Sequence, residues 1–194
     1  MLLNLDSGAR SALLIVDMQP FFFRQPERRA LLEGPAANIN RLIAAFDALD
    51  WPVVHCITAL QPDGSDWDLK MKASGVPELI SGSPEAAILP EICATDRHWV
   101  VQKTRYSAFF KTNLSKRLNA QAVRRVVVTG AYTHYCVNAT VFDAYCCDFV
   151  PGIATDAVIS HLEEESQVMV ARMVRNGYHV FSTDEYLQLL GERS

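Results

Sequence analysis

Short apolar runs, each ended by a polar group and separated from the next by helical patterning, constrain the fold of this chain most. SALLIVDMQ holds an unbroken run over 12–16 that stops at Asp17. HWVVQKTRYSAFF holds a second over 99–101 that leads into Lys103. RRVVVTGAYTHYCVNATVFD holds a third over 126–129, followed by Gly130 and by a helix with Cys136 in its first turn. Unbroken Val/Ile/Leu runs suit strands covered on both faces, as in a parallel sheet.

Further strands are expected at 52–57, 150–154 and 178–182. Helices are expected at 36–49, where Ile39, Leu42, Ile43 and Phe46 form a stripe, at 113–119, after Gly130, at 162–175, and from Thr183 onward. Gly177 after Asn176 has the place of a helix C-cap. Between 61 and 95 the pattern weakens among Pro62, Pro77, Pro84 and Pro90, which predicts a long excursion with short helical turns. Alternating strands and helices give a parallel sheet with helices on both faces and right-handed crossovers. Tight turns are expected where glycine follows a strand, as at Gly130.

The chain has 194 residues, 49% hydrophobic and 21% charged, enough to bury a core as a single domain over 1–194. The net charge of −4 with scattered basic residues excludes a nucleic-acid surface. No apolar run approaches the ~20 residues of a membrane span, and MLLNLDSGAR lacks the form of a signal peptide. Five cysteines without framework spacing point to a reducing, cytoplasmic setting.

Ligands of open α/β sheets bind beyond the carboxyl ends of the strands. Three strands therefore bring an acid (Asp17), an amine (Lys103) and a thiol (Cys136) to one edge. At a helix N-terminus Cys136 meets unpaired backbone N–H groups, which favour thiolate over thiol and can hold an oxyanion. Cys136 is then a nucleophile toward a carbonyl carbon, Asp17 a general base, and Lys103 the group that holds both charges in register. The plain alternatives are a buried cysteine packed as a small hydrophobe and a structural ion pair. A non-catalytic binding domain on the same fold is the other class of reading.

The order and context of VDMQ, KTRYSAFF and GAYTHYCVNAT resemble the isochorismatase-like cysteine hydrolase superfamily, over nearly the whole chain. The resemblance implies a three-layer α/β/α fold with a six-stranded Rossmann-like sheet and an Asp17–Lys103–Cys136 triad. It also implies a non-proline cis peptide at Ala131–Tyr132, whose Tyr132 N–H joins that of Cys136 as oxyanion donor. Relatives are commonly dimers or tetramers, so a homodimer or homotetramer is expected.

Some members of this family bind a divalent ion after the second strand. This chain offers His55, Asp63, Asp66 and Asp68 there, without an Asp-x-His pair, so neither metal nor other cofactor is expected. The substrate is a small molecule. KTRYSAF and GAYTH resemble the isochorismatases, which cleave a vinyl ether (isochorismate to 2,3-dihydroxy-2,3-dihydrobenzoate and pyruvate) through an acid–base aspartate, usually without a cysteine at this elbow. Cys136 favours the members that cleave amide or ureido bonds. Phe22, Arg105, Tyr106 and His134 are the candidate substrate contacts, with Arg105 suited to a carboxylate. Of Phe21, Phe22 and Phe23, a loop can bury only some, leaving one or two for the pocket or another chain.

Overall fold

A computed structural model describes residues 9–191. The first eight residues, which carry most of the expected absence of a leader, and the last three of the expected domain lie outside them. Six strands form one sheet: β1 (Ser11–Val16), β2 (Val53–Thr58), β3 (Trp99–Lys103), β4 (Arg125–Ala131), β5 (Val150–Ile159) and β6 (His179–Phe181). Every pairing is parallel and the order is β3-β2-β1-β4-β5-β6. Seven α-helices accompany it: α1 (Pro26–Arg29), α2 (Glu33–Ala48), α3 (Leu69–Ser74), α4 (Leu114–Ala120), α5 (Asn138–Cys146), α6 (Glu163–Arg175) and α7 (Thr183–Gly191). This is a three-layer α/β/α fold.

The side-chain period of two along a strand divides the core in half. Leu13, Ile15, Val53 and Val127 face one way and meet the stripe of α2 (Ala36, Ile39, Leu42, Ile43, Phe46) together with Tyr186 and Leu190 of α7. Leu14, Val16, Val54, Val126 and Val128 face the other way, onto Leu114 and Leu118 of α4, Val141 and Ala144 of α5, and Met173 of α6. Each fully buried Leu, Ile or Phe contributes roughly 1.5–3 kcal/mol over its exposed state, so both layers are needed to offset the entropy of the ordered chain.

Two departures from the expected pattern have local causes. Gly130 lies inside β4 instead of opening a turn, at φ +100°. A Cβ there would stand 2.1 Å from the Val16 carbonyl oxygen, so only glycine admits the close approach of β1. Opposite this point β5 shifts register: Val128 pairs with Ile153 but Gly130 with Val158. The intervening bulge carries Asp156, which accepts hydrogen bonds from the Thr183 N–H and hydroxyl at 2.8 Å. The polar bulge ends the apolar run at Ala154, and the strand itself continues to Ile159.

The excursion after β2 is closed at its base by a bridge between Leu60 and Ile80, with Leu60 N–H donating to Leu79 O and Ser81 N–H to Leu60 O. Inside it, Asp68 caps α3 by accepting from the Met71 N–H at 2.8 Å, and Gly75 ends that helix in the left-handed region.

Candidate active site

The strand order reverses direction between β1 and β4, and residues just past those strands face a common edge. Register brings the acid and amine together: Val16 lies beside Cys56 of β2, and Thr58 at the end of β2 lies beside Lys103 at the end of β3. Asp17, next in the chain after Val16, adopts φ +51° and is fully buried. The left-handed region costs a non-glycine residue of order 1 kcal/mol and is best tolerated by Asp and Asn. It turns the chain out of β1 while Asp17 N–H still donates to Cys56 O.

Lys103 Nζ donates to Asp17 Oδ2 at 2.8 Å, to Thr58 Oγ1 at 2.8 Å and to the Arg105 carbonyl at 3.1 Å, and stands 3.6 Å from Cys136 Sγ. Asp17 Oδ1 accepts from the Thr58 hydroxyl at 2.9 Å and from the Thr58 N–H at 3.1 Å. The structure thus brings Asp17, Lys103 and Cys136 into one contiguous cluster, and adds a residue the sequence reading passed over. Thr58 closes β2 as Lys103 closes β3, which was the available signal. Gln19, in the VDMQ motif, braces it: its Oε1 accepts from Thr58 N–H, and its Nε2 donates to the carbonyls of Thr58 and Ala86.

Cys136 lies in a π-helical turn, Thr133–Val137, that precedes α5. Such wide turns recur at functional sites. The expected thiolate is corrected here. Burial pushes the Cys136 thiol well above the ordinary range and Asp17 adds to the push, while Lys103 only partly opposes it. Desolvation of a charge outweighs both the helix end and the ammonium. Lys103 shows the reverse balance: burial disfavours its charge, but Asp17 and Cys136 hold its pKa above the usual lysine value. The resting cluster is a neutral thiol beside a buried ammonium–carboxylate pair.

Ala131–Tyr132 is a cis peptide, and Tyr132 stands at the head of the cysteine turn. The Tyr132 hydroxyl donates to the Phe22 carbonyl, and its ring meets that of Phe22 edge-on at 5.8 Å.

A cavity of about 650 Å³ opens above Cys136 and Lys103, within the range of small-molecule sites. Phe21, Phe22, Leu60, Leu79 and α3 supply apolar walls. Tyr106 lines it half exposed and stacks on Tyr135 at 5.5 Å. Phe23, by contrast, belongs to the core.

Arg105 also lines the cavity, but its guanidinium is committed to backbone carbonyls, those of Asp66 and Trp67 at 2.8 and 3.3 Å and that of Thr104 at 2.6 Å. It ties the 61–79 excursion to the end of β3. His134 lines a different cavity, with Glu164, Glu165, Val168 and Met169. Its Nδ1 lies 2.8 Å from Ser160 Oγ. The Ser160 hydroxyl already donates to Leu162 O, so that Nδ1 carries the proton and Nε2 the lone pair.

His55 is packed inside the sheet, its Nε2 3.1 Å from His98 Nδ1, with His98 Nε2 3.2 Å from Asp47. Asp63 and Asp68 make local turn and cap bonds, to Ser65 N–H and Met71 N–H. Among the described residues no three His, Cys, Asp or Glu side chains converge as a metal site. No helix among them is long and apolar enough to cross a membrane.

The isochorismatase domain model matches residues 11–185. The isochorismatase of Bacillus subtilis is 30% identical over 182 residues, covering 93% of this chain and 58% of its own length. An isochorismatase family protein of Desulfovibrio vulgaris superposes with a TM-score of 0.86 at 26% identity, over 95% of this chain and all of that one. N-carbamoylsarcosine amidase of Thermoplasma acidophilum superposes with a TM-score of 0.76 at 25% identity, over 90% and 97% of the two chains.

Proposed function

This chain belongs to the isochorismatase family, and from that premise we propose that it is a cysteine hydrolase cleaving an amide or ureido C–N bond of a small metabolite. One observation carries the reading: a thiol, a carboxylate and an ammonium form one buried cluster, with Lys103 Nζ 2.8 Å from Asp17 and 3.6 Å from Cys136 Sγ, beneath a cavity of ligand size.

Because the thiol rests protonated, attack and deprotonation are coupled. As Cys136 Sγ bonds to the carbonyl carbon, its proton passes to Asp17. The carbonyl oxygen takes up the negative charge beside the N–H groups of Cys136 and Tyr132. Collapse breaks the C–N bond, and Asp17 returns the proton to the departing nitrogen, leaving a thioester. Asp17 then takes a proton from water, whose oxygen attacks the thioester carbon; as the C–S bond breaks to release the acid, Asp17 passes that proton to the departing sulfur and the thiol is restored. Lys103 keeps its proton throughout and, 2.8 Å from Asp17 Oδ2, holds that side chain in place. Phe21, Phe22 and Tyr106 form the apolar surface against which the substrate lies. His134, in its separate cavity, supports the turn that carries Cys136 instead of touching substrate. All five cysteines are free thiols, which supports a reducing compartment, and we assign the protein to the cytoplasm.

A second reading is vinyl ether hydrolysis of isochorismate, favoured by the identity to the Bacillus subtilis isochorismatase. Asp17 would then protonate the ether, and Cys136 would be a bystander. A hydrolysis screen of small amides, ureides and isochorismate separates the two. Under the amidase reading Cys136→Ala loses about 10⁴-fold or more in kcat. Under the isochorismatase reading it keeps most of its activity and only Asp17→Asn abolishes turnover. An active Asp17→Asn enzyme, with circular dichroism showing the fold intact, overturns both.

A further inference from the structure

The cavity lined by His134 has no part in the chemistry above Cys136. It measures about 290 Å³, at the small end of ligand sites, and its other walls are Glu164, Glu165, Val168 and Met169 of α6. His134 is only 8% exposed. Its Nδ1 is engaged with Ser160, while its Nε2 is buried and has no hydrogen-bond partner in the protein. Turning Nδ1 to Ser160 leaves the Nε2 edge of the ring for the cavity. Because the proton sits on Nδ1, that edge presents a lone pair, and a buried acceptor left unpaired calls for a donor.

The neighbouring ring supplies none. His161 stands edge-on to His134 at 5.3 Å, and its own Nδ1 is likewise buried without a partner. Burial lowers the pKa of both imidazoles, with Glu165 opposing the shift at each, so both rings are neutral near pH 7.

The carboxylates exceed what the helix requires. Glu163, Glu164 and Glu165 fill the first turn of α6, whose N-terminus offers only about half a positive charge. Among the described residues neither Glu164 nor Glu165 has an ion-pair partner. Arg28, the cation that bears on this corner, lies over the Tyr132 ring at 5.7 Å and is not part of the lining. The cavity therefore joins a carboxylate wall, an uncharged acceptor and the aliphatic surface of Val168 and Met169.

That combination selects among occupants. An anion is repelled by the carboxylates, and a neutral alcohol satisfies Nε2 but leaves the charge unanswered. A zinc-like ion needs its donors at about 2.1 Å from one point, and no three such side chains among the described residues converge in that way. An ammonium nitrogen draws its acceptors at about 2.8 Å and directs three N–H groups to separate ones, a wider and looser geometry. Its alkyl chain also gives Val168 and Met169 a partner.

We propose that this cavity is a second binding site, for a primary alkylammonium ion that donates to His134 Nε2, turns its remaining N–H groups to Glu164 and Glu165, and lays its hydrocarbon on Val168 and Met169. The inference is independent of the chemistry at Cys136. His134 stands two residues from Cys136, so the bound cation contacts the same turn that carries the thiol.

n-Butylammonium chloride is the probe, at about pH 7.5 where both imidazoles are neutral. The His134 ring and the Met169 methyl are followed by proton–carbon NMR. Both shift saturably, with a dissociation constant of about 1–10 mM. n-Butanol lacks the charge and tetramethylammonium lacks the N–H donors, and each binds about tenfold more weakly or worse. Glu164→Gln and Glu165→Gln each weaken butylammonium about threefold, and the two together about tenfold. His134→Phe keeps a ring, removes the acceptor and weakens binding about tenfold at the Met169 methyl. Circular dichroism checks the fold of each variant, and the exposed glutamates test the site even where His134→Phe fails to fold. No saturable shift up to about 50 mM, tetramethylammonium bound as tightly, or affinity unchanged in the double glutamine variant each overturns the proposal. Because binding is the readout, such a failure leaves the hydrolase reading untouched, and an inactive enzyme leaves this test unaffected.

Discussion

Thr58 makes the acid and amine one unit. Its hydroxyl accepts from Lys103 and donates to Asp17, so a single oxygen fixes the rotation of both charged groups. Hydrogen bonds to charged groups are each worth about 1.5–3 kcal/mol net. Thr58→Val keeps the shape, removes the hydroxyl and leaves the N–H contact to Asp17 in place. On the best substrate of the screen its kcat falls about 10–100-fold with KM within threefold, and Thr58→Ser recovers most of the loss. A change in KM alone would mean that Thr58 acts as pocket wall. Asp17, Lys103 and Cys136 were legible in the sequence because an apolar run leads up to each of the three. Thr58 was not, because a threonine closing a strand is indistinguishable from one beginning a turn until the Thr58–Lys103 register is known. The protonation of Cys136 was illegible for another reason: helix position is written in sequence, but depth below the surface is not.

Among the elements, β4 depends most on one residue. Gly130 holds φ +100° with the Val16 carbonyl where a Cβ would go. Gly130→Ala therefore meets backbone on both counts, a strained conformation and a clash that no rotamer relieves. We expect a loss of about 3 kcal/mol or more in urea-induced unfolding, or no soluble protein at all. A loss below about 1 kcal/mol would show that β1 and β4 separate easily at the point where Asp17 emerges. The strands and long helices were legible from period alone, since each has one or two faces against the sheet. The bulge of β5 was not, because Thr155 and Asp156 break the apolar run while the backbone stays extended. Nor was the partnership of Arg105 with the carbonyls of Asp66 and Trp67, which joins segments far apart in sequence and is fixed only once the excursion folds back.

For the whole molecule, His55 sets an acid limit. Burial, with His98 adding to it, lowers its pKa to about 4 from an ordinary 6.5. The unfolded chain binds that proton more readily, so stability from this group is complete above about pH 6.5 and is lost as pH falls toward 4, at up to about 1.4 kcal/mol per unit. Urea melts between pH 7 and 4 show this slope, and His55→Gln flattens it; an equal slope in the variant assigns the acid sensitivity elsewhere. The pinch between Leu60 and Ile80 has a consequence of another kind. It sets residues 61–79, which contribute much of the wall of the cavity, apart from the strand ends that carry Asp17 and Lys103 and from the turn that carries Cys136. Under the proposed function, recognition and bond cleavage sit on parts of the chain that can change separately. A lineage, or an engineer, can exchange the segment as a cassette and alter the clientele of the enzyme while the chemistry beneath stays as it was.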